Sequence, residues 1–246
     1  MAVRTSSCYF IPHDKSKIVN RKYDALSLAT PEAFHSNPSR VWQFYHMRMI
    51  ATNTAQPNEA HKALAKASKK GIKLITQNVD GLSRRVHESG VCLEMHGCGF
   101  PSLLLSLASY SPARCILETV CTTCKTRQTH NGETLCDALI GTETLAEETI
   151  IPITRLPHCS TCSTSPDGRK GLLRPGVVWF GASFVFVLCS NRSCLRIGEQ
   201  PRHMKEITTL LSECDLLLVV GTSSTVYPAA GFSSIVKAQG GKIAAL

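Results

Sequence analysis

A chain of 246 residues can form one large domain, or a large domain carrying a smaller one, and is long enough to bury a sizeable core. Its 43% apolar and 18% charged content excludes wholesale disorder, and the longest apolar runs, "DLLLVVG" and "FVFVLC", fall well short of the roughly 20 residues of a membrane helix. The net charge of +9 comes from Lys and Arg scattered singly or in short pairs, which fits a solvated basic surface suited to acidic small ligands better than a nucleic-acid track.

The first 22 residues set Arg4, Lys15, Lys17, Arg21 and Lys22 against a single acid, Asp14, a dilute version of a mitochondrial transit composition. Thr30-Pro31 is a helix-start signal, and "TPEAFHSNPSRVWQFYHMRMI" then places Val41, Trp42, Tyr45, Arg48 and Met49 at helical spacing. "NEAHKALAKASKKG" reads as an amphipathic helix with Asn58 as N-cap and Gly71 as its stop. The buried strand "IKLIT", the polar loop "QNVDGL" and a short helix "LSRRVHESG" follow.

Further on, "LLRPGVVWFG" reads as strand, "HMKEITTLLSE" as helix, "CDLLLVVG" as strand, "PAAGFSSIVKAQGG" as helix and "KIAAL" as a last strand. Strands alternating with helices predict an α/β fold, a Rossmann-like doubly wound parallel sheet. The cysteine-bearing region between them interrupts this sheet as an excursion, and no internal repeat is visible.

Cys121 and Cys124 form one Cys-x-x-Cys knuckle and Cys159 and Cys162 another. Two knuckles can place four thiolates around a tetrahedral ion and leave no open position, so the spacing points to one structural zinc per chain. Incidental cysteines or a redox pair are the competing reading, but a lone redox motif would not explain the second knuckle. Twelve cysteines without a secretory signal argue against a disulfide framework.

"ITQNVDGL" sets Gln77, Asn78 and Asp80 just past a buried strand, where open α/β sheets bind ligands. "VVGTSSTVYP" repeats the arrangement with Gly221, Thr222 and Ser223, which can offer hydroxyls and backbone N–H groups to a phosphate. The same residue types also serve ordinary turns, so neither loop is specific by itself. His96, past the short apolar strand of "CLEMHG", is either a hydrogen-bonded structural histidine or a general base.

Taken together, "TQNVDGL", "EMHG", the two knuckles, "LLRPGVVWFG" and "LLLVVGTSSTVYPAA" resemble, in order and kind, the sirtuins, NAD-dependent protein lysine deacylases. Tyr45 and Arg48 lie three apart on a predicted helix and face the same way. The pair resembles the signature of the mitochondrial sirtuin 5 type, which removes succinyl, malonyl and glutaryl groups. The resemblance implies that Arg48 grips the acyl carboxylate as a planar fork, with a hydrogen bond from Tyr45. By itself the pair would read as a solvated Arg beside a half-buried Tyr.

The resemblance further implies NAD as cosubstrate, acyl-lysine proteins as substrates, and nicotinamide, free lysine and O-acyl-ADP-ribose as products. The acyl oxygen would attack the ribose carbon as nicotinamide departs, and His96 would accept a proton from the ribose hydroxyls. Gln77 would bind ribose, Asn78, Val79 and Asp80 would line the nicotinamide pocket, and Gly221, Thr222 and Ser223 would hold phosphate. Val177, Val178, Trp179, Phe180 and Gly181 would form the segment along which the peptide adds a strand. A mitochondrial location is implied, with cytosol and nucleus as further sites, and neither specific nucleic acid nor a membrane is an expected partner.

The sequence also departs from the family. Residues 1–24 contain no glycine, so the family's glycine-rich NAD loop is unmatched there. Residues 98–114 and 182–198 are surpluses of 17 residues each, and deleting them restores the family spacing, which leads us to expect intron read-through. The family's adenine-binding residues would be expected beyond Leu246. The resulting organisation is an unmatched, targeting-type segment 1–24, a Rossmann-like NAD domain over 25–97 and 171–246, and a zinc module over 98–170. Two other readings are an inactive sirtuin isoform acting as a binding protein and a zinc-ribbon nucleic-acid binder, the second of which leaves the nucleotide loops unexplained.

Overall fold

The computed structural model describes residues 2–3, 25–88, 90–96, 116, 118–130, 134–143, 149–162, 170–180, 185–186, 196–197, 204–222 and 224–245. They belong to two compact units: Met1–Ile11, Thr54–Cys115 and Pro201–Leu246 form the first, and Pro12–Asn53 with Ile116–Gln200 the second. The surplus 98–114 lies outside the described residues, as do Gly181 and Ser223.

The first unit holds a parallel sheet of β1 (Ala2–Val3), β2 (Leu74–Thr76), β3 (Cys92–Glu94), β9 (Leu216–Val220) and β10 (Lys242–Ala245), in the order β10-β9-β1-β2-β3. β1 pairs with both neighbours, Ala2 opposite Ile75 and Val219, Val3 opposite Thr76 and Val220. β2 is buried throughout, as a central parallel strand should be. Helices α5 (Met204–Ser212) and α6 (Phe232–Ala238) contribute Ile207, Leu211, Phe232 and Val236 to a core completed by Ile75, Leu93, Met95 and Leu217.

Helix α4 (Glu59–Ser68) starts where the sequence places it: the Asn58 side chain accepts from the His61 N–H (3.1 Å), and His61 Nδ1 accepts from the Asn58 N–H (3.2 Å). It stops ahead of Gly71, whose φ of +90° glycine tolerates best. The short helix expected in "LSRRVHESG" is instead a run of turns. There, side chains fix the backbone: His87 Nδ1 bonds the Ser83 carbonyl (2.7 Å), Arg84 pairs with buried Glu94, and Arg85 donates to the Ala55 carbonyl (2.6 Å).

The second unit is built on α1 (Ala25–Leu28), α2 (Pro31–Ser36) and α3 (Pro38–Thr54). Thr30 caps α2 by accepting from the Ala33 N–H (3.1 Å), and Pro38 starts a new helix, so the long helical stretch is two helices rather than one. α3 is buried almost all round, through Val41, Trp42, Gln43, Phe44, Tyr45, His46 and Met49. Its polar side chains therefore find internal partners. Gln43 donates to the Thr149 carbonyl (2.6 Å), Ser39 Oγ accepts from the Ile151 N–H (2.9 Å), His46 faces Glu143 (3.3 Å), and the Trp42 indole donates to the Leu173 carbonyl (3.0 Å).

The same unit contains an antiparallel sheet of β4 (Glu118–Cys121), β5 (Arg127–Thr129) and β6 (Leu173–Pro175) in the order β5-β4-β6. The predicted strand "LLRPGVVWFG" is thus only three residues long and joins the cysteine-bearing sheet rather than the parallel one. Within the surplus 182–198, β7 (Val185–Phe186) and β8 (Arg196–Ile197) pair antiparallel. α1 to α3 and β6, assigned from sequence to the Rossmann-like domain, cluster with the cysteines.

Two outcomes follow for stability. Phe232 is 2% exposed and Ile235, three residues on, is 39% exposed. Phe232→Ala should cost about 3–5 kcal/mol and Ile235→Ala under about 1 kcal/mol in chemical denaturation, and equal costs would contradict this core.

Burial also holds His46, His61 and His130 below the ordinary imidazole value of 6.5, against partial opposition from Glu143 at His46 and Asp80 at His61. Below that pH the unfolded chain binds protons that the fold does not, so this stability is complete above 6.5 and is lost as acid is added. Urea midpoints should fall between about pH 7.5 and about pH 5.5; flat midpoints would refute the assignment.

Candidate functional site

In the parallel sheet the chain runs from β1 to β2 and β3 on one side and to β9 and β10 on the other, so the order reverses between β1 and β9. At such a switch point the carboxyl ends of the strands leave a crevice. Gln77 follows β2, His96 lies just beyond β3, and Gly221 and Thr222 follow β9.

Gln77 ties these three ends together. Its side-chain amide donates to Thr222 Oγ1 (3.4 Å), and its backbone carbonyl meets His96 Nδ1 at 3.1 Å. A carbonyl only accepts, so Nδ1 carries the hydrogen and the lone pair of the neutral ring sits on Nε2. His96 is half-buried.

The neighbouring loop is shaped by its own polar groups. The Asn78 N–H donates to Thr76 Oγ1 (3.1 Å), and Asp80 Oδ1 accepts from the Leu82 N–H (3.0 Å) beside Gly81 at φ +66°. Asp80 therefore closes a turn whatever else it does, while Asn78, Val79 and Asp80 all remain half-buried. The loop after β9 has Gly221 at φ +59° and Ser224 at +52°, with the Ser224 N–H bonded to Thr222 Oγ1 (3.2 Å).

In the second unit Tyr45 is 3% exposed, and its hydroxyl accepts a hydrogen bond from the Trp179 indole N–H at 3.0 Å. Burial pushes the phenol up to about 12, with Arg48, the Trp179 bond and Arg174 opposing. Arg48 is half-buried, its guanidinium 5.2 Å from the Phe44 ring centroid, and it has no ion pair among the described residues. Arg174 lies 4.9 Å over the Trp179 ring, and burial draws it down to about 10, so it stays charged at neutral pH. Val177 is buried, Val178 and Phe180 are half-buried, and the Phe180 N–H is bonded to the Ala29 carbonyl (2.8 Å).

The Sγ atoms of Cys121, Cys124, Cys159 and Cys162 all lie within 4.8 Å of one another. A tetrahedral zinc with bonds of about 2.3 Å would space its sulfurs by about 3.8 Å, and two of the pairs stand at 3.3 and 3.8 Å. Cys121 Sγ accepts from the N–H groups of Thr123 and Cys124 (3.4 Å each). Cys124 is pulled down to about 6 by Thr126, whereas Cys162 is pushed up to about 12 by the Cys124 and Cys121 sulfurs. One thiolate thus forms readily and the next forms against its charge, a conflict that a divalent cation relieves. The donor set fits zinc in a closed, structural site.

Two contributors escaped the sequence reading. A Cβ on Gly171 would meet Cys121 Sγ at 2.5 Å, so the backbone of a second segment closes on the cluster only as glycine. A glycine shortly after the second knuckle was the available signal. Arg174, a lone cation in an apolar run, signalled an aromatic or buried partner. A cavity of about 920 Å³ opens beside Phe34, Cys121, Lys125 and Trp179, and neither Tyr45 nor Arg48 is among its described lining residues.

These features define a Rossmann-like α/β fold joined in one chain to a four-cysteine module. The Sir2 family model matches residues 11–228, and the chain belongs to the Sir2 family. It is 40% identical to the NAD-dependent protein deacylase sirtuin-5, mitochondrial, of Xenopus tropicalis, over 91% of this chain and 63% of that protein. An NAD-dependent protein deacylase of Daphnia pulex is 36% identical over 91% of this chain and 71% of its own. A Sir2 homolog solved as its NAD complex superposes with a TM-score of 0.60 and 29% identity, covering 91% of this chain and 66% of that one. The chain thus spans less than two thirds of the frog relative's length.

The purified protein should carry about one zinc per chain. Cys159→Ser should lose metal and thermal stability together, because a structural site contributes directly to folding. Gly171→Ala keeps all four thiols and should nonetheless lower zinc content, since its methyl group collides with Cys121 Sγ. Metal analysis of both variants checks this; a fully loaded Gly171→Ala protein would show that the close approach is dispensable.

Proposed function

We propose that this chain is an NAD-dependent protein-lysine deacylase that selects acyl groups ending in a carboxylate, succinyl, malonyl or glutaryl. The observation that carries the reading is the pair Tyr45 and Arg48: a phenol kept protonated by burial, and one helical turn on a cation with no ion pair among the described residues. A donor and a permanent positive charge together suit an acyl group with a carboxylate terminus.

NAD as cosubstrate would supply a ribose carbon that bonds to the acyl carbonyl oxygen as its bond to nicotinamide breaks. His96, held with Nε2 as its basic nitrogen, takes a proton from a ribose hydroxyl. Gln77 binds ribose and orients His96, Asn78, Val79 and Asp80 line the nicotinamide side, and Gly221, Thr222 and Ser223 hold phosphate. Val177, Val178, Trp179, Phe180 and Gly181 receive the acyl-lysine peptide. Substrates are acyl-lysine proteins, without specific nucleic-acid or membrane partners. The location is the mitochondrion, with cytosol and nucleus as further sites, and the Xenopus tropicalis relative's name is the support for the first. The division into a Rossmann-like NAD domain and a zinc module stands as part of the same reading.

One observation favours a second reading, a catalytically inactive binding protein. The residues that follow β1 at the switch point, 4–24, contain no glycine to bring backbone N–H groups close to a pyrophosphate. Nicotinamide release from a succinyl-lysine peptide with NAD separates the two. An active chain should lose about 10²–10⁴-fold of its rate in His96→Ala, and Arg48→Met should raise the KM for the succinyl peptide and leave that for an acetyl peptide unchanged. No release above the His96→Ala level would favour the inactive protein, and equal turnover of the two acyl peptides would remove the roles given to Tyr45 and Arg48.

A further inference from the structure

We propose that Trp179 is a positioning residue that makes Tyr45 a one-way hydrogen-bond donor and thereby tunes the acyl position toward a carboxylate terminus. This rests on the reading of Tyr45 and Arg48 given above and goes beyond it by assigning how the tyrosine is set.

An indole N–H donates and cannot accept, so the 3.0 Å contact between Trp179 Nε1 and Tyr45 Oη has a single polarity. A phenolic hydrogen lies near the ring plane and has two orientations. The bond from Trp179 occupies one side of the oxygen, which leaves the hydrogen pointing to the other. An oxygen that accepts also donates more strongly, because neighbouring hydrogen bonds polarise one another. Among the described residues no acceptor takes the Tyr45 hydrogen.

The surroundings hold this arrangement. Trp179 is 7% exposed and packs on Phe34, with ring centroids 5.4 Å apart, while Phe44 meets the Tyr45 ring edge-on at 5.0 Å. The indole and the phenol therefore have little freedom to turn away from each other. Arg174, 4.9 Å over the indole, draws electron density from the ring and strengthens its N–H as a donor. Burial keeps the Tyr45 hydrogen in place through the physiological pH range. A methyl-terminated acyl group offers this hydrogen nothing, whereas a carboxylate accepts it.

The test measures binding of fluorescent succinyl-lysine and acetyl-lysine peptides to the full chain. Trp179 is replaced by 3-benzothienylalanine, which keeps the bicyclic shape but carries sulfur in place of the N–H, and zinc content and melting temperature verify folding. Relative to the acetyl peptide, the succinyl peptide should bind about three- to tenfold more weakly than it does in wild type. Tyr45→Phe keeps the Trp179 ring but removes the acceptor of its N–H; it should lose at least as much of the succinyl preference, and adding the isostere to Tyr45→Phe should cost no further preference. A merely structural Trp179 would weaken both peptides alike.

Wild-type protein that binds both peptides equally would overturn the acyl-carboxylate reading and this role with it. If wild type prefers the succinyl peptide and Arg48→Met loses that preference, retention of the preference in either the isostere or Tyr45→Phe would overturn the role of Trp179 alone.

Discussion

A helix buried almost all round cannot leave its polar side chains to water, and α3 is such a helix. Ser39 and Gln43 have to be met by the backbone of a loop far along the chain, and Thr149 and Ile151 meet them, while His46 Nε2 lies 3.3 Å from Glu143. Trp42 does the same for the backbone of β6. These are long-range contacts within one unit, and they explain why α1 to α3 cluster with the cysteine module and not with the parallel sheet. They also fix the helix on which Tyr45 and Arg48 lie one turn apart.

The parallel unit solves a different problem. Three strand ends must keep their relative positions although each strand is only three to five residues long. Gln77 spans two of them through its side chain and reaches the third through its backbone carbonyl. One residue thus sets both the spacing of the strand ends and the tautomer of His96. Change at Gln77 would act on His96 even though the two side chains play different parts.

Much of this was legible in the sequence because it rests on short-range rules. Asn58 and Gly71 bracket α4 through capping chemistry, and the two knuckles imply a closed metal site from spacing alone. What could not be read was decided by distant partners. "LSRRVHESG" has helical spacing, yet Arg84 is committed to Glu94 and Arg85 to the Ala55 carbonyl, and turns satisfy those bonds where a helix would not. "LLRPGVVWFG" looks like a parallel core strand, yet a Cβ on Gly176 would stand 2.8 Å from the Glu118 carbonyl oxygen, to which the Gly176 N–H is bonded at 2.7 Å. That close approach draws the segment onto β4. The donor relation between Trp179 and Tyr45 joins residues 134 apart, beyond any pattern of period or spacing.

Both tryptophans of the chain, Trp42 and Trp179, fall in the unit that carries the cysteines. The indole of each is buried and bonded to a partner inside that unit. Intrinsic indole emission is therefore a private reporter of the cysteine-bearing unit, and the parallel sheet is silent at that wavelength. Circular dichroism, by contrast, sees the helices of both. Melting curves recorded by the two signals would coincide if the units unfold as one and separate if each has its own transition, without any label being added to the protein.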